Sequence, residues 1–181
     1  MKKLLGLSSA LLVTMFFSAC ATIPKGAIAA VNFDVAKYLG KWYEIARFDF
    51  AFERNLDNTT AEYSLGKNGG IVVKNTGYNY KTSKWQQALG KAKFRSTPDK
   101  AELEVSFFGP FYSAYNVIAL DKEYRYALVA GKNLNYLWIL SRTPTIPDSV
   151  KQEFLKLADS LGYDTSRLIW VKQDKEKPAA L

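Results

Sequence analysis

The stretch "GKWYEIARF", residues 40–48, opens with a glycine and a tryptophan and carries a glutamate inside a run of aromatic and branched residues. Its alternation puts Trp42 and Glu44 on one face of a β-strand and Lys41 and Tyr43 on the other. Taken alone it is one strand among many, and its surroundings decide its role.

Upstream, "FDVAKYLG" offers Asp34 as an N-cap, a turn of helix and Gly40 as its stop. Downstream, alternating runs bounded by turn residues predict strands at 41–50, 58–65, 70–78, 85–95, 101–108, 114–121, 125–131 and 136–142. The turns "GKNGG", "STPDK" and "KNLN" suit hairpins. Closely spaced strands without intervening helices imply an all-β antiparallel fold, either an up-and-down barrel or a sandwich.

One helix follows. In "PDSVKQEFLKLADSLGYD", Val150, Phe154, Leu157, Ala158 and Leu161 form a single apolar stripe, so the helix must lie against the outside of the sheet. Asp148 can cap it after Pro147, and Gly162 stops it. "RLIWVKQ" reads as a short final strand, and residues 175–181 as a frayed tail.

The N-terminus, "MKKLLGLSSALLVTMFFSAC", has two lysines, an apolar stretch too short to span a bilayer comfortably, and small residues before Cys20, which marks an export signal. Cys20 is the only cysteine among 181 residues, so no intramolecular disulfide can form and the thiol has another use. "FSAC" resembles the bacterial lipobox, with Phe17 in place of the usual leucine. The resemblance implies a leader over 1–19 and acylation (palmitate-type) of Cys20, with residues 20–32 as a lipidated tether. Several acyl chains would anchor firmly where one would not. Ala21, rather than an aspartate, implies an outer-membrane address facing the periplasm. The plainer alternative is an ordinary secretory signal cut near "SACA".

The chain suits one well-buried domain, over 33–174. Its formal net charge is +8, of which Lys2 and Lys3 lie in the leader. Basic and 14% aromatic, it invites a nucleic-acid reading. Export argues against that, and so does the alternation of lysines along "GKAKFR", which is how a solvated sheet face looks.

These features in order, "GKWYEIARF", "GYN", "WQQ", "VSFFGPFY", "YNVIALDKEYRYALV" and "YLWILSRTPTI", resemble the lipocalins, and within them the bacterial outer-membrane members, over roughly 31–173. The resemblance implies an eight-stranded up-and-down barrel whose sealed end is plugged by Trp42, with Arg142 across its ring and Gly40 turning the chain into the first strand. An eight-stranded barrel is just wide enough for a cavity, so one end needs a large flat seal. Glu44 shares Trp42's face and is expected to be a partly buried structural carboxylate. "LDKEY" matches the family's second motif only loosely, through Asp121 and Tyr124.

Period two and this topology together select an inward set. It comprises Ala61 and Tyr63, Val73 and Asn75, then Ala88, Gly90, Ala92 and Phe94. Later strands add Leu103, Val105 and Phe107, Tyr115 and Val117, and Trp138 with Leu140. The alternative is that these side chains fill a solid core. At the open end "FDFAFERN", "YNYKTSKW" and "FFGPFYS" carry aromatics, including Phe48, Phe50, Tyr78 and Trp85, and Tyr112, Tyr115 and Arg54 are candidates for a lipid headgroup.

The expected function is a non-enzymatic carrier of a fatty acid or lysophospholipid, tethered to the outer membrane. A tethered module gripping a protein partner is the alternative, and a monomer or homodimer is left open. The absence of histidine removes the commonest general base and any histidine-ligated metal, so no catalytic residue, metal or cofactor is assigned.

Overall fold

The computed structural model describes residues 22–67 and 69–178. The leader, Cys20 and residues 179–181 lie outside them. After α1 (Val35–Tyr38) the chain forms β1 (Gly40–Arg47), β2 (Leu56–Leu65), β3 (Ile71–Asn79), β4 (Lys84–Phe94), β5 (Glu102–Phe108), β6 (Phe111–Leu120), β7 (Tyr126–Ala130) and β8 (Leu137–Ser141). Then come α2 (Asp148–Ser160), a 3₁₀ turn (Thr165–Arg167) and β9 (Ile169–Trp170). Sequential antiparallel pairing runs from β2 to β8 and on to β1, and a β1–β2 ladder closes the barrel. Closure leaves those eight strands without a free edge.

Two apolar clusters share the sheet. Trp42, Tyr63, Val73, Leu103, Val117 and Leu140 fill the inside, while Ile45, Phe48, Leu128, Ile139, Phe154 and Ala158 lie outside beneath α2. The stripe expected on α2 therefore meets the outer wall at Phe154 and Ala158. Asp148 does not cap this helix. Pro147 occupies the N-cap with no side-chain bond, and Asp148 is the first helical residue, where its charge still favours the helix dipole. Gly162, at φ +88°, ends the helix.

The barrel is not a uniform ladder. β1 and β2 pair only from Gly40–Tyr63 to Tyr43–Thr60, then separate. The C-terminal segment fills the seam: β9 pairs with Ala46 and Arg47, the Asn58 N–H donates to Lys172 O at 2.7 Å, and Gln173 Nε2 donates to both Glu44 O and Thr59 O at 2.9 Å. The tail is thus docked rather than frayed at its start, where the Lys175 N–H donates to Asn58 Oδ1.

The stretch expected as a tether is also laid on the barrel where it is described. Val31 bridges Lys100, and the Ala30 N–H donates to Val117 O at 2.9 Å. Ala29 is buried there, so this segment has an apolar contact as well as backbone partners.

Candidate functional site

The sealed end is built from aromatic rings and backbone carbonyls. Gly40 adopts φ +92°, which an L side chain resists, and so turns the chain from α1 into β1. That sets Trp42, fully buried, with its indole N–H donating to Tyr38 O at 2.8 Å. The Arg142 guanidinium lies 3.9 Å from the Trp42 ring centroid. Its nitrogens donate to Tyr124 O, Lys41 O, Lys37 O and Tyr38 O, tying together the ends of β8, β1 and α1 and the β6–β7 turn. Tyr124 in turn accepts from the Asp34 N–H at 2.8 Å, and Asp121 accepts from the Arg125 and Tyr126 N–H groups.

Above this plug three hydroxyls converge. Tyr63 donates to Tyr115 at 2.8 Å, and Tyr115 and Tyr38 share a bond of 2.7 Å. Burial raises all three phenols above their ordinary range, so they are neutral hydrogen-bonding groups. Tyr115 therefore belongs to the sealed half rather than to the mouth, where a headgroup role had placed it.

The next layer is charged. A β-bulge between Glu44 and Ala46 shifts the register, so Glu44 faces Leu140 and Arg47, not Ala46, faces Trp138. Arg47 turns inward and its Nη1 donates to Glu44 Oε1 at 3.1 Å, while Thr59 Oγ1 donates to the same oxygen at 2.9 Å. Glu53, from the loop between β1 and β2, brings Oε2 to 3.8 Å from Arg47 Nε and accepts the Trp138 indole N–H at 3.2 Å. Arg47 Nη2 also donates to Glu53 O at 2.8 Å and Leu56 O at 3.0 Å, which pins that loop. Burial raises both carboxyls, and the charge of Glu44 raises Glu53 further, while Arg47 and Thr59 pull Glu44 back down. The Arg47–Glu53 pair was missed by alternation because a bulge and a loop place it. No local sequence signal marks either.

Of the inward set, Tyr63, Val73, Ala92, Leu103, Val117 and Leu140 are buried in the interior cluster. Ala61, Phe94, Val105, Phe107, Tyr115 and Trp138 pack on it while staying partly accessible. Asn75 faces Ala61 across the β2–β3 ladder, and its buried Oδ1 has no partner. Gly90 has a packing reason: a Cβ there would stand 2.8 Å from both Phe107 Cδ1 and Ser106 O. Ala88 pairs with Asn75 and shares its face, at the open end of β4. It lies beyond the last β4–β5 pair, Lys91–Ser106, and is exposed.

Tyr112 is corrected as well. It precedes inward-facing Ser113 and turns its ring outward toward Lys93 Nζ, 4.6 Å from the centroid. Phe48, expected at the mouth, is buried under α2 because the bulge moves it to the outer face. Phe50 is buried against Trp138, with centroids 4.6 Å apart, and Tyr78 and Trp85 pair on the outer face. Arg54 stays at the rim, 3.3 Å from Asp49.

The void among Tyr38, Tyr63, Ala92, Leu103 and Tyr115 is apolar and about 10 Å³, room for about one water. A larger hollow of about 440 Å³ lies outside, along the seam and tail, and is polar. The groups an apolar chain could line up against are inside, above the tyrosines and around Trp138.

The sequence profile of the lipocalin-like domain matches residues 33–173. The chain belongs to the lipocalin family. Outer membrane lipoprotein Blc of Escherichia coli K12 is 56% identical to this lipocalin over 173 residues, covering 94% of this chain and 98% of that one. The protein of the same name from Vibrio cholerae is 44% identical over 164 residues, covering 90% and 96%. Among solved structures, insecticyanin of the tobacco hornworm Manduca sexta superposes with a TM-score of 0.67 at 21% identity, covering 86% of this lipocalin and 88% of its own chain, a likeness of fold.

Proposed function

We propose that this lipocalin is an outer-membrane lipoprotein, anchored through acylated Cys20 after loss of residues 1–19, that carries a fatty acid or lysophospholipid in the periplasm without catalysis. The address follows from the close relatives named outer membrane lipoprotein. The observation that carries the lipid reading is the accessible apolar wall. Ala61, Val105, Phe107 and Trp138 point into the barrel, yet each keeps part of its surface open, which a solid core would not allow. Covering that surface with an acyl chain stabilises the complex by about 25 cal/mol per Å².

The charged layer sets the direction of entry. With Glu44 paired to Arg47 and Glu53 beside them, that layer offers no net positive charge to a ligand carboxylate or phosphate, so the tail enters and the headgroup stays at the rim near Arg54. Below that layer the void among Tyr38, Tyr63 and Tyr115 is water-sized, so deeper entry there requires these side chains to move apart.

Native mass spectrometry of the delipidated protein with added oleoyl lysophospholipid tests this reading. One bound lipid is expected, and a persistently empty barrel overturns the carrier. Trp138→Asp places a third carboxylate beside Glu53 and should weaken binding at least about tenfold, or 1.4 kcal/mol. A folded variant that binds as tightly as the parent removes the ligand from the barrel interior.

A further inference from the structure

The N-terminal segment is held partway along the barrel wall. Asn116, midway along β6, donates through Nδ2 to Thr22 O at 2.9 Å and reaches Ala130 O and Gly131 O, where β7 runs into an open-end loop, while its Oδ1 accepts from Arg95 Nη2 in the β4–β5 turn. Eleven residues after Thr22 the Phe33 N–H donates to Asp99 O, in the β4–β5 turn at the sealed end. Ala30, eight residues after Thr22, donates through its N–H to Val117 O, so the segment holds near the middle of β6 before it turns to the sealed end. Cys20 precedes Thr22 by two residues, a reach of about 7 Å. Thr22, the first described residue, is thus held at the middle of the wall, and the surfaces of the two ends decide which of them meets the bilayer.

The open end has the surface that a bilayer would accept. At the β5–β6 turn Phe108 and Phe111 are 79% and 78% exposed, and in the β1–β2 loop Phe52 is 61% exposed. Continuing the β4–β5 register by two residues sets exposed Leu89 across from Phe108. Exposed Arg54, Lys81, Lys84 and Lys132 ring these tips against one exposed carboxylate, Asp49. The sealed-end turns instead mix Asp99, Asp121 and Glu123 with Lys100, Lys122 and Arg125. Aromatic tips with a cationic rim match the interface of an anionic membrane, where rings sit at headgroup depth and cations meet phosphates.

We propose that the barrel stands mouth-down on the membrane that holds its anchor, with Phe108 and Phe111 inserted at headgroup depth, so that lipid passes between bilayer and cavity without crossing the periplasm. Five residues of β6 separate Asn116 from Phe111, about 17 Å of strand. The hairpin tip thus projects past Asn116 on the mouth side and carries the exposed rings that a bilayer interface accepts.

This orientation rests on the acylation of Cys20, and the experiment separates the two. Full-length protein is reconstituted in vesicles of phosphatidylethanolamine and phosphatidylglycerol, and the mass of the Cys20 peptide is measured. An unmodified Cys20 overturns the anchor. With Cys20 acylated, an introduced cysteine is the sole free thiol, so Phe111→Cys and Leu65→Cys report the two ends after labelling with an environment-sensitive fluorophore. Doxyl phospholipid is expected to quench the label at 111 several-fold more than the one at 65, with a blue shift only at 111. Equal quenching in acylated, vesicle-bound protein overturns the mouth-down orientation alone, and stronger quenching at 65 reverses it. As a second arm, Phe108→Ser with Phe111→Ser should slow lipid uptake from vesicles several-fold, while binding of lysolipid added below its micelle concentration is unchanged. Equal losses in both would assign these rings to the ligand site instead of the membrane.

Discussion

The two halves of the barrel interior solve the burial of polar groups differently. In the sealed half every polar group is neutral or faces backbone: Tyr38, Tyr63 and Tyr115 bond one another, and Arg142 sits over Trp42 with four carbonyls in reach. In the upper half a guanidinium and two carboxylates are buried together, with Arg47 Nε left without a hydrogen bond. The first arrangement closes an end with aromatic area and satisfied donors. The second holds a loop, fixes Trp138 and puts charge in a ligand's path, at a desolvation cost that its own pairings must offset.

The largest effect should come from the upper half. Arg47→Met keeps the side-chain bulk but leaves Glu44 and Glu53 unpaired and frees Glu53 O and Leu56 O, so the mouth loop loses its pin. Breaking a buried ion pair from one side costs about 3–5 kcal/mol. At this chain length that is a fall in melting temperature of roughly 6–20 °C. Adding Glu44→Gln and Glu53→Gln should recover most of it, because the uncompensated charges are then gone. A loss below about 1 kcal/mol in chemical denaturation would mean that both carboxyls are already protonated or hydrated, and the contrast between the halves would vanish.

Arg142→Ala tests the sealed half and should cost about 2–3 kcal/mol, from lost charge-assisted bonds and the uncovered indole face. Lipid affinity should change little, since Arg142 lies beneath the plug. If affinity collapsed while the melting temperature held, Trp42 and Arg142 would belong to the ligand site.

The sealed half was legible in the sequence and the charged layer was not, for a physical reason. The resemblance to the lipocalins, carried by motifs in a fixed order, placed the Trp42 plug and Arg142 across it, and Gly40 followed from the tight turn into β1. Period two placed Tyr63, Val73, Leu103 and Leu140 correctly on regular ladders. It failed where a ladder breaks. The bulge after Glu44 sends Phe48 under α2 and Arg47 inside, and the end of the β4–β5 ladder leaves Ala88 exposed, whereas Tyr112, expected to meet a headgroup for its place near the mouth, faces outward as period two itself requires. Glu53 reaches the interior from a loop, where no periodicity exists to read. The segment before Phe33 looked like tether because its contacts, through Asn116 and Val117, are with strands more than eighty residues away.

The smallest effect is the most discriminating, because it reads the charge state of the upper layer directly. Glu53 is buried beside Glu44, and both causes raise its carboxyl above the ordinary value of 4.5, while Trp138 and Arg47 pull the other way. A raised folded-state pKa means the protonated form is favoured by folding. Its contribution is full below the ordinary carboxyl value and is lost as pH rises through the folded one. Glu53→Gln keeps an acceptor for the Trp138 indole but does not titrate. Variant and parent should therefore have similar stability near pH 4, and the variant should gain on the parent as pH rises, read as the difference between their melting temperatures across a pH series. Glu44→Gln should show the same sign with smaller size, since Arg47 and Thr59 both bond its carboxyl and offset more of the burial. A difference that shrinks with rising pH would show that Glu53 is ionised and held favourably by Arg47, so that the upper layer carries a standing negative charge and rejects anionic lipid more strongly than a neutral carboxyl could.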